Sequence, residues 1–110
     1  MIARTWRGAA EPANANRYVD HLRAHTLPVL SHIPGYCGGY VMRHRHTSGS
    51  RVEFMVVTLW ESLDAIRAFA GADTGAAVVP AEARALLASY DDRAVHWDVV
   101  LDNSPTRGAK

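Results

Sequence analysis

The chain has almost nothing with which to form covalent cross-links or to anchor itself in a membrane. Its 110 residues include a single cysteine, Cys37, so an internal disulfide is excluded. That cysteine usage is typical of a reducing compartment, and we expect a cytoplasmic protein. No apolar run approaches the roughly 20 residues that a membrane-spanning helix needs. The first residues are not followed by the long apolar stretch of a signal peptide, so we predict no membrane partner.

The sequence has no marked excess of positive or negative charge, and it also lacks the common cofactor motifs. The formal net charge of +1 gives no reason to expect a nucleic-acid or membrane-surface partner. The sequence contains no phosphate-binding loop, no paired CxxC cysteines and no nucleophile elbow. We therefore predict neither a metal nor a bound cofactor.

The most informative segment that is present is the nine-residue run VEFMVVTLW, residues 52–60. Phe54, Val56 and Thr58 share one face of a strand by parity, with Trp60, whereas Met55, Val57 and Leu59 share the other. A half-exposed strand would alternate apolar and polar residues, so both faces are predicted to be covered. In so short a chain, we expect helices on one face and a second subunit on the other.

The pattern around this strand predicts an α+β domain of order β-α-β-β-α-β, a ferredoxin-like arrangement with an antiparallel four-stranded sheet. Ser62 is a good N-cap for the helix that follows, and Gly71 ends that helix. Pro28 is expected to kink or break the first helix near Leu27. The predicted strands are 2–7, 36–46, 52–60 and 93–101. The first helix follows a cap at Asn14 or Asn16 and extends to residue 33, and the other helices are 62–70 and 80–90. A hairpin turn lies at 47–50, the domain spans 1–101, and 102–110 is a disordered tail.

Four segments in this order resemble the antibiotic biosynthesis monooxygenase family of dimeric α+β barrels. They are MIARTWRG at the start, IPGY at residues 33–36, LWESLDAIRAFAG in the middle and RAVHWDVV near the end. The resemblance implies a homodimer, with a pocket between the sheet and the helices of each subunit. It also implies cofactor-independent oxidation of an aromatic phenol, anthrone or quinol by molecular oxygen.

The haem-degrading branch of this family is a poorer match. Its members use an asparagine on the first strand, together with a tryptophan and a haem-ligating histidine on and after the second helix. The corresponding positions here are Thr5, Phe69 and Val79, so no obvious axial ligand for haem iron remains.

A cofactor-free oxygenase needs a group that accepts the substrate's proton and a donor that stabilises the resulting anion. Arg4 is the candidate donor, although it is alternatively a structural partner of Asp98 or Glu53. His96, on the strand that neighbours the first, is the candidate base because histidine titrates near neutral pH. It is alternatively a structural hydrogen-bonding residue, with Asp98 able to orient its ring.

Aromatic residues supply the candidate walls for a flat substrate. Trp6, Trp60 and Phe69 are predicted to bind it, although each also suits a place in the core. Strand parity alone does not say whether Arg4 and Trp6 or Thr5 and Arg7 face the pocket.

Three histidines, His21, His25 and His32, cluster on one flank of the first helix. The spacing of His21 and His25 can chelate a metal, but no carboxylate accompanies them, so we expect a solvated flank. Two functional classes stay open for the whole chain: an oxygenase with Arg4 and His96 in its site, or a non-catalytic dimeric protein that binds a small apolar ligand.

Overall fold

The sheet of the computed structural model has the strand order that the sequence predicts. The structure describes residues 1–45 and 50–105, so the predicted turn at 47–50 and the end of the predicted tail lie largely outside it. Helices are α1 (Pro12–His21), α2 (Leu27–Ser31), α3 (Leu63–Ala70) and α4 (Ala81–Leu86), and strands are β1 (Ile2–Ala10), β2 (Tyr36–Arg43), β3 (Val52–Trp60), β4 (Ser89–Tyr90) and β5 (Val95–Asp98).

All the described strand pairs are antiparallel, in the order β2-β3-β1, and the short strands β4 and β5 follow one another end to end along the other edge of β1. The last strand position is thus shared by two short strands. Apart from this replacement of one strand by two, the prediction of a ferredoxin-like α+β fold is confirmed. No helix in the described ranges has the length and apolar character needed to cross a bilayer.

The helix after β3 begins and ends where the sequence predicts. Ser62 is the N-cap, and its hydroxyl oxygen accepts a hydrogen bond from the Ala65 N–H at 3.2 Å. Gly71 follows the last helical residue with φ 88°, a backbone conformation that favours glycine. Gly35, just ahead of β2, has φ 91°, and a Cβ there would clash with the Cβ of Ala65.

The first helix differs from the prediction at its start and in the turn ahead of Pro28. It begins at Pro12, whose missing N–H is not needed at the first helical position, and not at Asn14 or Asn16. Ahead of Pro28 the helix does not break: residues Leu22–Thr26 widen into a π-helical turn, and the α-helix resumes at Leu27. The wider turn leaves room for the proline ring, which would clash with the carbonyl four residues earlier.

The C-terminal elements are shorter than predicted. The helix predicted to reach Tyr90 ends at Leu86, because the following backbone pairs with β1 instead. The Ala88 N–H donates to the Ala9 carbonyl at 2.7 Å, and the Asp91 N–H donates to the Arg7 carbonyl at 3.0 Å.

The core between the sheet and the helices consists of two clusters with a gap between them. One cluster centres on the edge-to-face pair of Tyr18 and Phe54, with ring centroids 5.2 Å apart. The other centres on Trp60, Leu30 and Ile66, all 1% exposed or less. Along the strands, the register pair of Arg4 and Thr58 lies between the two clusters.

Candidate functional site

At the gap between the two core clusters lie two neighbouring hollows that share part of their lining, an inner cavity and an outer chamber open to solvent. The inner cavity has a volume of about 60 Å³ and is lined by side chains of the sheet and of α1, among them Arg4, Trp6 and Tyr18. The outer chamber, about 380 Å³, is lined by His21, His25, Val29 and Glu82 among others. The two parts share a set of lining residues: Thr26, Phe69, Val78 and Pro80.

Arg4 is a buried cation at the inner end of this cavity. Its side chain is 6% exposed, and its Nη2 donates to the Ala76 carbonyl oxygen at 2.7 Å. Its Cζ lies 5.4 Å from the centroid of the Phe69 ring, a cation–π distance. Its Nε has no hydrogen-bond partner among the described residues. Burial lowers the pKa of Arg4 from its usual range, because water no longer solvates the charge.

The predicted alternative, in which Arg4 forms a structural ion pair, is wrong. Glu53 pairs in register with Ala9 and so lies on the opposite face of the sheet, and Asp98 is exposed opposite Ile2. Across the described ranges, no carboxylate lies within ion-pair distance of Arg4. The parity question is also answered: Arg4 and Trp6 face the helices.

Two of the three predicted aromatic residues line the cavity. The half-buried Trp6 is held by its Nε1, which donates to the Asp91 carbonyl oxygen at 2.7 Å. Phe69 stacks on Trp60, with ring centroids 5.9 Å apart. Trp60 itself is 0% exposed and does not line the cavity; it lies behind Phe69, with its Nε1 donating to the Thr58 hydroxyl at 2.8 Å.

His96 lies beside Arg4 but outside the cavity wall. The two residues are register partners between β5 and β1, so both face the helix side of the sheet. The His96 ring hydrogen-bonds the Thr74 backbone rather than Asp98, and its Nε2 is enclosed without a partner among the described residues. Burial, and then the Arg4 charge, lower the pKa of His96, so the ring is neutral at pH 7.

The segment between α3 and α4 covers this site. We call residues 72–80 the strap. Its Ala77 N–H donates to the Asp92 carbonyl at 3.0 Å, and the Ala94 N–H donates to the Gly75 carbonyl at 2.9 Å. The strap therefore supplies both the carbonyl that holds Arg4 and part of the cavity wall.

A side-chain clamp fixes the strap to the chain ahead of β5. Arg93 donates from Nη1 and Nη2 to the two carboxylate oxygens of Asp73 at 2.9 and 2.8 Å, and these bonds lower the pKa of that carboxyl. Gly75 permits this approach, because a Cβ there would clash with Nη2 of Arg93. No motif in the sequence identified the clamp, since its partners are 20 residues apart.

The prediction of a solvated histidine flank is wrong for His21. This residue is 9% exposed, and its ring centroid lies 5.3 Å from that of the exposed His25. The helical periodicity indicates this burial, because His21 and His25 follow Tyr18 at intervals of three and seven residues and so share its face of the helix. Among residues 1–45 and 50–105, no three His, Cys, Asp or Glu side chains are placed to share a metal ion.

The fold and cavity define a small α+β domain that encloses an apolar site with one buried cation between its sheet and its helices. The family model for antibiotic biosynthesis monooxygenases matches residues 1–81. The chain therefore belongs to the antibiotic biosynthesis monooxygenase family. A search of curated protein sequences finds no significant match.

Solved structures with this fold include proteins of two kinds. The haem degrader MhuD from Mycobacterium tuberculosis, with two haems bound in its active site, is 25% identical over 94% of this chain and 100% of its own, with a TM-score of 0.57. A point mutant of MhuD, with two manganese protoporphyrins per active site, is 24% identical over 94% of this chain and 99% of its own, with a TM-score of 0.59. The ActVA-Orf6 monooxygenase of Streptomyces coelicolor, in complex with nanaomycin D, is 18% identical over 94% of this chain and 91% of its own, with a TM-score of 0.60.

The residues at the cavity do not offer the haem ligands that the family resemblance implies. Phe69 and Val79 line the inner cavity where a tryptophan and a histidine would be expected. Thr5 lies on the other face of the sheet, where its hydroxyl accepts a hydrogen bond from Trp97 Nε1 at 3.0 Å. His21 lines the outer chamber, and its Nε2 is enclosed by protein. The site therefore does not fit haem ligation through these positions.

Proposed function

We propose that this protein oxidises an electron-rich aromatic substrate, a phenol, anthrone or quinol, with molecular oxygen and without a bound cofactor. The observation that supports this most is Arg4, a buried cation without a carboxylate partner among the described residues, at the inner end of an apolar cavity. An unneutralised buried charge is costly to fold, so it is expected where an anion has to be stabilised. Phe69 and Trp6 provide flat walls beside it.

The chemistry asks the protein for proton transfer and anion stabilisation. The substrate hydroxyl or ring methylene gives up a proton, and the resulting anion donates an electron to oxygen. The two radicals then join, and a new C–O bond forms. For an anthrone, one oxygen atom replaces the two methylene hydrogens and the other leaves as water. Arg4 stabilises the substrate anion by a charge-assisted hydrogen bond, which is strong in a site from which water is excluded.

His96 is the proposed proton acceptor. It is neutral at pH 7, it lies next to Arg4, and its Nε2 has no hydrogen-bond partner among the described residues, so the lone pair of that nitrogen would take the proton. A substrate anion on Arg4 competes with the Ala76 carbonyl, which now holds that guanidinium. Movement of the strap away from Arg4 is then the step that brings His96 within reach of the substrate.

The size of the cavity suggests how the substrate lies. The inner cavity, at about 60 Å³, holds a hydroxyl group and part of a ring, and the outer chamber, at about 380 Å³, holds the remaining rings. Phe69 lines both, so a planar substrate would stack on it along its length.

Oxygen uptake tests the proposal, with anthrone and a naphthohydroquinone as probes. We expect uptake above the uncatalysed rate, and a loss of about 100-fold or more in Arg4→Gln, the effect of removing one stabilising donor in other enzymes. Arg23→Gln is the matched control, because the Arg23 side chain is 71% exposed, pairs with Asp20 on the outer side of its helix and lies away from the cavity. Equal rates in the two variants would contradict a role for Arg4.

A non-catalytic binding protein is the second candidate. One observation favours it: the cavity wall is apolar around Arg4, and His96 does not line it. In that case Arg4→Gln and His96→Gln would leave the affinity for a polycyclic aromatic probe nearly unchanged. Val78→Trp would abolish binding, because Val78 is 42% exposed and lines both parts of the cavity. Fluorescence titration of the probe separates these outcomes.

A homodimer formed through the open face of the sheet completes the proposal. This face carries exposed large side chains: Tyr40, Met42, Val95 and Trp97 are between 46% and 58% exposed. A recess of about 430 Å³ lies at one end of it, lined in part by Met42, Met55 and Tyr90. Monomeric proteins rarely expose so many apolar groups together, and a second copy covers them in a face-to-face pair of sheets.

Light scattering after gel filtration tests the homodimer. We expect a mass of twice the chain, and a shift to the monomer in Trp97→Lys, which places a charge on the apolar surface. A monomeric wild-type protein at micromolar concentration would contradict the proposed dimer.

A further inference from the structure

The wall of the inner cavity carries a tyrosine hydroxyl that the proposed oxidation does not use. Tyr18, on α1, is 1% exposed and lines this cavity. Its hydroxyl forms no hydrogen bond with the described residues. Unlike the unpartnered nitrogens of Arg4, His21 and His96, its oxygen is not fully enclosed by protein. The space beside this buried ring is the inner cavity, so the hydroxyl faces it.

A buried tyrosine hydroxyl without a partner makes the folded protein less stable. Transfer of a hydroxyl out of water is unfavourable unless another hydrogen bond replaces those made to water. A phenylalanine would fill the same space without that cost. It would also keep the edge-to-face contact with Phe54, at a centroid distance of 5.2 Å. A tyrosine at position 18 is therefore expected where a ligand provides the missing partner.

The hydroxyl is a hydrogen-bond donor at neutral pH. Burial raises the pKa of Tyr18 to about 12, so the phenol keeps its proton. The other polar side chains that line the inner cavity in the described ranges are Arg4, Thr26 and Thr58, and no carboxylate is among them. The acceptor that Tyr18 lacks is therefore best supplied by an oxygen atom of the ligand.

Tyr18 and the Arg4 guanidinium lie on opposite sides of the inner cavity. Tyr18 belongs to the core cluster around Phe54, whereas the guanidinium lies over Phe69, which packs against the other core cluster. Along β3, Phe54 and Thr58, the register partner of Arg4, are four residues apart, about 13 Å in a strand. A ligand in the gap between the clusters therefore has Arg4 on one side and Tyr18 on the other.

We propose that Tyr18 is a substrate-binding and selectivity residue, whose hydroxyl donates a hydrogen bond to a second oxygen of the aromatic substrate, para to the oxygen held by Arg4. The inference rests on the aromatic substrate of the proposed function. Within that class it favours a ring with two para oxygen atoms over a ring with one hydroxyl group. Any further rings extend towards the outer chamber past Thr26 and Phe69, which line both hollows.

Two probes of nearly the same shape test this contact on the full chain, 4-methoxy-1-naphthol and 4-ethyl-1-naphthol. They share the hydroxyl that would bind Arg4 and differ only in the para oxygen, which the ethyl compound replaces by a methylene group. Titration of probe fluorescence under nitrogen measures both affinities without oxidation. We expect the wild-type protein to bind the methoxy compound about fivefold more tightly, the effect of one neutral hydrogen bond.

Three variants assign the preference to one residue. Tyr18→Phe should abolish it and leave the affinity for the ethyl compound unchanged, because the ring stays and only the donor is lost. Tyr36→Phe is the matched control and should keep the preference, because Tyr36 also packs against an aromatic side chain, Trp60 at 5.2 Å, but lines neither hollow. Arg4→Gln should weaken both probes alike and keep the preference, since both present the same hydroxyl to Arg4.

Urea denaturation separates a role in ligand binding from a role in the fold. A hydroxyl without a partner in the protein adds no hydrogen bond to its stability. Tyr18→Phe should therefore unfold at the same urea concentration as the wild type or at a higher one. A clearly lower midpoint would show that the hydroxyl is bonded within the fold, and it would overturn the inference.

The binding assay can overturn the inference in three ways. They are a methoxy preference that Tyr18→Phe retains, no preference in the wild type, or no binding of either probe at millimolar concentration. None of these results depends on oxygen. Oxygen uptake without a Tyr18-dependent preference would contradict this inference alone, and a Tyr18-dependent preference without oxygen uptake would contradict the proposed oxidation alone.

Discussion

Replacing Arg4 by methionine should abolish activity and leave stability almost unchanged. In the folded protein, the Arg4 guanidinium gains a charged hydrogen bond to Ala76, about 1.5–3 kcal/mol. It also gains a cation–π contact with Phe69, about 0.5–2 kcal/mol. Against these stands the loss of hydration of a side chain that is 6% exposed, an effective penalty of several kcal/mol.

These terms nearly cancel, so we expect Arg4→Met to change the free energy of unfolding by less than about 1 kcal/mol. Methionine fills similar space and carries no charge that needs solvation. The Ala76 carbonyl loses its partner in the variant, which keeps the change from becoming strongly stabilising. Urea denaturation followed by tryptophan fluorescence measures the difference, and oxygen uptake with a quinol measures the activity.

The outcome that would refute this reasoning is a loss of about 3–5 kcal/mol, the cost of removing one partner of a buried structural ion pair. It would mean that Arg4 is held for stability by a partner outside the described contacts. Unchanged oxygen uptake in a stable Arg4→Met protein would refute the functional half of the prediction instead.

Three further predictions concern the elements that position the site. Ser62→Ala should cost about 1 kcal/mol, because the Ala65 N–H loses its cap; a midpoint in urea equal to that of the wild type would contradict this. Gly75→Ala should displace the Arg93 guanidinium and speed hydrogen exchange at the Ala77 N–H, and unchanged exchange would show that the strap does not depend on the clamp. Because the pKa of His96 is lowered in the folded state, the unfolded chain binds more protons below the usual histidine pKa. The free energy of unfolding should therefore be highest above about pH 6.5 and fall as the pH drops below that value. His96→Gln should fall less steeply with pH when the free energy of unfolding is measured with urea; an equal dependence on pH in the two proteins would contradict this.

The parts of the fold that the sequence predicted are those fixed by local pattern. Strand β3 carries apolar residues at both parities, and it occupies the centre of the sheet with the predicted bounds Val52–Trp60. The helix after it is defined by Ser62 and Gly71, whose roles depend on backbone geometry within a few residues. Pro28 marked the change in the first helix, although its form, a π-helical turn, depends on packing.

The parts that could not be predicted depend on distant partners. The helix that starts at Ala81 has residues suited to continue beyond Leu86, but the backbone of Ala88 forms a better hydrogen bond with Ala9 in the neighbouring strand. The strap is held by Asp73 and Arg93, and neither shows in the sequence that the other is its partner. Arg4 was identified as a candidate from its unusual place in a covered strand, whereas its freedom from Asp98 and Glu53 required the register of the sheet.

The cavity illustrates the same limit at the level of function. Phe69 and Trp6 were selected as aromatic residues, but only packing separates them from Trp60, which supports Phe69 from behind. The burial of His21 is encoded in its spacing from Tyr18. The charged and polar residues next to it in the helix favoured the prediction of a solvated flank instead.

The most direct test of the proposed oxygenase is a reaction under isotopically labelled oxygen gas with a naphthohydroquinone or an anthrone, followed by mass spectrometry of the product. We expect one labelled oxygen atom in the product and the other in water, with the yield lost in Arg4→Gln and kept in Arg23→Gln. No label above the protein-free reaction, or an equal yield from both variants, would contradict it.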